Sequence, residues 1–364
     1  MDFAEIGVTA HRRRRQESVE VTEANPLGTI WMMRCPIPAA SGVAFARGYM
    51  TDAFASRGIA VRRIVEGGLN LVTEDPAFQQ SHLFREGSNI RAIAARSRGE
   101  PTRVIGLTWI DERQAIIVRP DSDVMQPSDL KGLRFALPAF ADSKGESIAR
   151  GMALRGIGNA LSLGGLTLAD AKLVEIPVAP RQRPTPENMR RFWSGLKRLA
   201  AGEVDAVYVK GSAAADAARE LGLVVGVDLD AYPSRLGRIN NGTPRPIVVH
   251  QHMLDHHLDL VELFLEQTLR AADWAADHQA DLKPILAQET WSSIAGVETA
   301  YRGAFHRALH PDLSSARVGM LEAQAEFLLK AGFIDAPVDV AAWVDARPLA
   351  AAAQRLANPR REIA

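Results

Sequence analysis

The chain of 364 residues holds one cysteine, in the run Met32-Met33-Arg34-Cys35-Pro36-Ile37-Pro38. A lone thiol forms no internal disulfide, so it serves either as a small apolar side chain in a turn or as a reactive group. Here it follows a short apolar stretch, residues 29–33, that reads as a buried strand. Strand ends that open into loops are where α/β proteins present ligand-binding atoms. A thiolate would need a cation or a helix N-terminus beside it.

The segment Arg85-Glu86-Gly87-Ser88-Asn89 offers both. It precedes a helix predicted over residues 90–97, with Ser88 and Asn89 of capping type. The Arg85 guanidinium and the N–H groups of Gly87 and Ser88 together make a place for an anion. An ion pair between Arg85 and Glu86, or another acid, is the plainer use of the same residue. His82, three residues before Arg85, is of a type that polarises a thiol or relays a proton. Lys210, after a strand predicted over residues 204–208, is a further cation. Trp109, Phe140 and Trp193 are candidate walls for an aromatic ring, although each is of a type more often found in the core than in a wall. His250, His252, His256 and His257 are dense, and His252 and His256 stand one helical turn apart. They bring no acidic partner in a known pattern, so they read as a polar helix face and no metal is assigned. No phosphate-binding or dinucleotide-type glycine loop is present, and no cofactor is expected.

Positive and negative side chains balance at 43 each, which argues against nucleic acid or acidic membranes as main partners. The apolar fraction of 47% suits a globular core. No window approaches the roughly 18 apolar residues that would span a bilayer, so no membrane insertion is expected. Residues 1–26 read as a polar arm. The arginine run Arg12-Arg13-Arg14-Arg15 lacks the apolar stretch that an export signal needs, which gives a cytoplasmic expectation.

The elements that must position these residues alternate. Strand 29–33, helix 41–57 and strand 61–65 make a βαβ opening. Strands at 103–109 and 114–118 follow, then a proline-bearing linker. A second series runs through strand 133–137, helix 148–156 with 157–163 as its extension, strand 172–176, helix 192–201, strand 204–208, helix 213–221 and strand 224–227. Residues 238–244 read as a return, strand 246–250 rejoins the first series, and the remainder is helical. The expected fold is α/β and bilobed, with two mainly parallel sheets flanked by helices and a ligand cleft between them. Lobe 1 takes residues 27–120 and 245–364, and lobe 2 takes 121–244. Two crossings bring Cys35, the 82–88 loop, residues 140–144 and residues 210–212 to that cleft.

Five segments carry a resemblance: Cys35-Pro36-Ile37-Pro38, Arg85-Glu86-Gly87-Ser88, Asp129-Leu130-Lys131-Gly132, Gly202-Glu203-Val204-Asp205-Ala206-Val207-Tyr208 and the helical tail. With these the chain resembles the 2'-hydroxybiphenyl-2-sulfinate desulfinases of dibenzothiophene desulfurisation. More broadly it resembles the nitrate/sulfonate/taurine solute-binding proteins, whose type 2 periplasmic-binding fold they share. The resemblance covers roughly residues 28–345. It implies a cofactor-free hydrolase acting on the carbon–sulfur bond of an aromatic sulfinate. In that reading Cys35 is the family cysteine, either attacking sulfur or protonating the aryl carbon. Arg85 is the arginine that anchors the sulfinate, with Gly87 or Ser88 donating beside it. The family histidine falls near Glu74-Asp75, where this chain has none, and His82 is the histidine of this loop. Pro36, Gly87, Ser88, Trp109, Phe140 and Lys210 complete the expected substrate contacts. The alternative implied is a solute-binding component that delivers a sulfonate-like or aromatic anion to an ABC permease without turnover.

Overall fold

The computed structural model describes residues 27–34, 38–65, 81–178 and 185–358. In chain order its strands are β1 (Thr29–Arg34), β2 (Ala60–Val65), β3 (Leu83–Glu86), β4 (Thr102–Thr108), β5 (Gln114–Val118), β6 (Arg134–Pro138), β7 (Lys172–Ile176), β8 (Val207–Lys210), β9 (Val224–Asp228) and β10 (Arg245–His250). The earlier helices are α1 (Ala40–Ala46), α2 (Tyr49–Ala55), α3 (Asn89–Ser97), α4 (Ile148–Leu163), α5 (Pro186–Arg191), α6 (Gly195–Ala200) and α7 (Ser212–Glu220). The tail holds α8 (Gln251–His256), α9 (Leu258–Asp277), α10 (Gln279–Thr290), α11 (Ile294–Ala300), α12 (Ser315–Lys330), α13 (Val340–Trp343) and α14 (Arg347–Ala357).

The first sheet has the order β2-β1-β3-β10-β4. In the second, β5 lies between β8 and β9, and a parallel bridge from Phe135 to Ala206 attaches the β6–β7 pair beside β8. Each sheet is parallel except for one strand. β10 runs antiparallel to β3 and β4, and β5 runs antiparallel to β8 and β9. The reversal has a simple cause. β5 and β10 are the first strands after the chain crosses between sheets. A chain arriving from the other sheet enters where the parallel strands end, so its first strand must run back.

This corrects the expected lobe boundary at residue 120. The expected first lobe, running to residue 120, includes β5, whose ladder partners are β8 and β9. The first crossing therefore lies between β4 and β5. A short buried apolar run does not reveal which neighbours it will pair with. The tail also serves both sheets: Ser293, at the N-cap of α11, donates through N and Oγ to Asp216 of α7 at 2.7 and 2.6 Å.

The first sheet buries both faces. Ile30, Met32 and Phe84 face α1 and α9, where the Phe84 ring stacks on Phe264 at 4.1 Å. Val104, Leu107 and Val248 face α3 and α12. Each such side chain contributes about 1.5–3 kcal/mol. The helix predicted over 41–57 is broken in two, and the helical tail is interrupted near its start. Gly48, at φ 80°, separates α1 from α2, a left-handed backbone that glycine adopts without strain. His257, at φ −140° and ψ 42°, separates α8 from α9. No helix among the described residues is long and apolar enough to cross a membrane.

Candidate active site between the sheets

The parallel pairing of β1 with β3 sets the site. Met33 lies opposite Arg85 and Arg34 opposite Glu86. The chain thus leaves β1 beside the loop that follows β3. Cys35, Pro36 and Ile37 lie outside the described residues, but the residues on either side of them are placed. On one side is Arg34, in register with Glu86. On the other is Pro38, whose carbonyl accepts a hydrogen bond from Arg245 Nη1. Arg245 opens β10, and because β10 is reversed its first residue stands at the same edge of the sheet as the end of β3.

Arg85 is buried, with 2% of its surface exposed, and its Nη1 donates to the Ser88 carbonyl at 3.2 Å. Glu86 faces the other way, accepting from Ser41 of α1 and from Thr108 Oγ1 of β4 at 2.9 Å. A bond between Arg85 and Glu86 is therefore not how either is satisfied within this geometry. Ser88 caps α3 by accepting the Arg91 N–H at 3.3 Å, and its hydroxyl donates to Asn241 Oδ1 at 2.6 Å. The positive end of α3 thus meets the return crossing beside Arg85. The Gly87 N–H, one of the expected anion donors, is directed instead at the Pro246 carbonyl over a long 3.4 Å.

Lys210 lies at the end of β8, as the sequence suggests, but it is enclosed. Asn241 O at 2.6 Å, Thr243 Oγ1 at 3.3 Å and Glu112 Oε2 at 3.2 Å surround its ammonium. An ammonium has three hydrogens, so three oxygens leave little for a ligand. Burial holds its pKa below the ordinary lysine value, with Glu112 opposing. In this structure its contacts are those of the joint between sheets. Trp109 is likewise taken up there. It is 2% exposed, and its Nε1 donates at 2.7 Å to Asp111, which also receives Arg238 at 3.0 Å. Phe140 remains 43% exposed at the outer seam, its ring 5.7 Å from Phe333 and covered by Arg150 at 4.3 Å. At the same seam Arg91 of α3 pairs with Glu146 at 3.1 Å.

His82 does not join Arg85. It stands just before β3, about 10 Å of extended chain from Arg85. Its ring is 5.9 Å from both His252 and His257. The physical reason is strand direction: β10 runs against β3, so its C-terminal end and α8 meet the beginning of β3, not its end. Sequence reasoning missed Arg245. Nothing in its local pattern marks it, since its value comes from the reversed direction of β10.

These features resemble known proteins in fold and in sequence. No family model matches the chain. It is 24% identical over 356 aligned positions to proteins of Rhodococcus erythropolis and Rhodococcus qingshengii named 2'-hydroxybiphenyl-2-sulfinate desulfinase. The alignment spans 86% of this chain and 91% of theirs. The crystal structure of desulfurization enzyme DSZB superimposes with a TM-score of 0.74 at 22% identity, covering 90% of this chain and 99% of that one. A mutant of that enzyme with its cysteine changed to serine, in complex with biphenyl-2-sulfinic acid, gives 0.69 over the same shares at 22% identity. The periplasmic aliphatic sulphonate binding protein SsuA from Escherichia coli gives 0.63 at 13% identity, covering 87% and 92%. The bilobed α/β fold expected from the sequence is the fold of this chain.

Proposed function

We propose that this chain cleaves the carbon–sulfur bond of a small aromatic sulfinate, using Cys35 as the reactive group and Arg85 as the anion anchor. The observation that carries this reading is the register of β1 on β3. It brings the strand end that precedes Cys35 beside the Arg85–Ser88 loop, in a chain that aligns with desulfinases over most of its length.

The reaction takes an aryl sulfinate and water to the arene and hydrogen sulfite. The C–S bond breaks, a C–H bond forms, and the oxygen of water ends on sulfur. The sulfinate oxygens need compensation by charge, which Arg85 supplies, with the positive end of α3 behind it. Arg245 holds Pro38, three residues after Cys35, through its carbonyl. Cys35 then acts in one of two ways. Its thiolate attacks sulfur, or its thiol delivers a proton to the aryl carbon. No part in this chemistry falls to His82.

The test is sulfite and biphenyl release from biphenyl-2-sulfinic acid. The unmodified chain should yield the two in equal amounts. Cys35→Ser should lose at least about 100-fold in rate and still bind the sulfinate. An unchanged rate in that variant would end the proposal. A second reading, a solute-binding component without turnover, is favoured by the fold shared with SsuA. Tight sulfinate or sulfonate binding by the unmodified chain with no product would select it.

A further inference from the structure

We propose that His82, His252 and His257 form a site for one divalent transition-metal ion of zinc type. One nitrogen from each ring lies within 4.8 Å of the others. The ring centroids form a nearly regular triangle, at 5.9, 5.9 and 5.7 Å, and every pair is tilted or edge-on rather than stacked. A tetrahedral ion with bonds near 2.0–2.1 Å holds its nitrogens about 3.3–3.4 Å apart. The rings must therefore close by roughly 1.5 Å at most, which small side-chain rotations of half-buried imidazoles achieve.

The fold, not the local sequence, assembles this trio. In one continuous helix His252 and His257 would point about 140° apart. The break at His257 between α8 and α9 lifts that constraint. His82 arrives from the start of β3, which the antiparallel β10 brings to the same edge. His250 is already used, its Nδ1 accepting the His252 N–H at 3.1 Å as the cap of α8. His256 lies 4.4 Å from His252, ring to ring, but outside the triangle.

The chemistry suits a metal. Burial and the neighbouring histidines lower the pKa of both His82 and His257, which favours the neutral, ligating imidazole. Three nitrogen donors without thiolate or carboxylate select Zn2+, Co2+, Ni2+ or Cu2+ over Mg2+ or Ca2+. They leave one coordination position for water or another donor. The ion would clamp the entry of β3 to the α8–α9 junction, at the opposite end of β3 from Arg85. This inference is independent of the reaction proposed above.

The test is calorimetric titration of the tag-free, chelator-stripped full chain with ZnCl2, together with visible spectra after Co2+ loading. One Zn2+ should bind per chain. His82→Gln, His252→Ala and His257→Ala should each weaken binding at least about tenfold. His256→Ala and Cys35→Ser should bind as the parent does, and the Co2+ spectrum should lack a thiolate charge-transfer band. Thermal melts of the metal-free variants establish that each is folded, and three separate ligand variants keep the test decisive if one is not. No stoichiometric Zn2+ binding, or binding lost in Cys35→Ser, or binding unchanged in two of the three ligand variants, would overturn the site.

Discussion

Arg85 reaches its place through the sheet. Its backbone is fixed opposite Met33, its surroundings are almost closed to solvent, and its guanidinium reaches the Ser88 carbonyl at the start of α3. A planar fork in such a place suits a sulfinate, whose two oxygens match paired N–H donors. Arg85→Lys keeps the charge but not the fork. It should weaken biphenyl-2-sulfinate binding by about 1.5–3 kcal/mol, and Arg85→Ala should weaken it further. Equilibrium titration of both variants measures this, and parent-like affinity in both would remove Arg85 from the site. At this scale the sequence was legible where chemistry is local. The Gly87-Ser88-Asn89 cap marks Arg85 as special. Nothing comparable marks Arg245, one basic residue among 43, because its position depends on which way β10 runs. The place of His82, beside His252 and His257, depends on strand direction in the same way. Closeness to Arg85 in sequence suggested a shared site, whereas an extended chain carries residues apart as readily as together.

Among the elements, α4 and β8 show how one contact decides a substitution. Gly156 of α4 lies over the Tyr208 ring, and a Cβ there would come within 2.2 Å of it. Tyr208 cannot withdraw, since its hydroxyl donates to Gln114 at 2.7 Å and accepts from Asn240 at 2.9 Å. Helix propensity would favour Gly156→Ala by up to about 1 kcal/mol. Overpacking against a held ring costs about 1–3 kcal/mol, or more. The second effect should win, with a net loss of stability in urea denaturation. Gly158→Ala is the matched comparison. Its Cβ would meet only Leu168 at 3.9 Å, so propensity should prevail and the variant should gain up to about 1 kcal/mol. Equal stabilities of the two variants would refute the contact. The periodicity of α4 was readable in the sequence through its extension to residue 163, and so were most strand cores. The helix breaks at Gly48 and His257 were not, because apolar spacing continues across both. Nor were the reversed directions of β5 and β10, since alternation and burial read the same from either end.

At the scale of the whole molecule, three distant parts of the chain meet at one buried pair. Lys210 comes from the second sheet, Glu112 from the first crossing, and Tyr301 from the end of α11. Lys210 and Glu112 lie 3.2 Å apart with side chains 5% and 7% exposed, and the Tyr301 hydroxyl donates to Glu112 Oε1 at 3.0 Å. Gly211, at φ 81°, lets the chain turn there, and any Cβ would lie 2.4 Å from that carboxylate oxygen. An ion pair so enclosed need not add stability over an apolar pair of similar size, but breaking it strands a charge. Lys210→Met should therefore cost about 3–5 kcal/mol. Removing the stranded charge as well, in Lys210→Met with Glu112→Gln, should recover much of that loss, because the amide still accepts from Tyr301 without carrying an unpaired charge. Urea unfolding of the parent, both single variants and the double variant gives the coupling directly. If the two single losses simply add, the pair is not what fastens the crossing to the second sheet and the tail. If the double variant recovers, Lys210 and Glu112 are coupled across the joint, and what the joint requires is that neither charge be left there without the other.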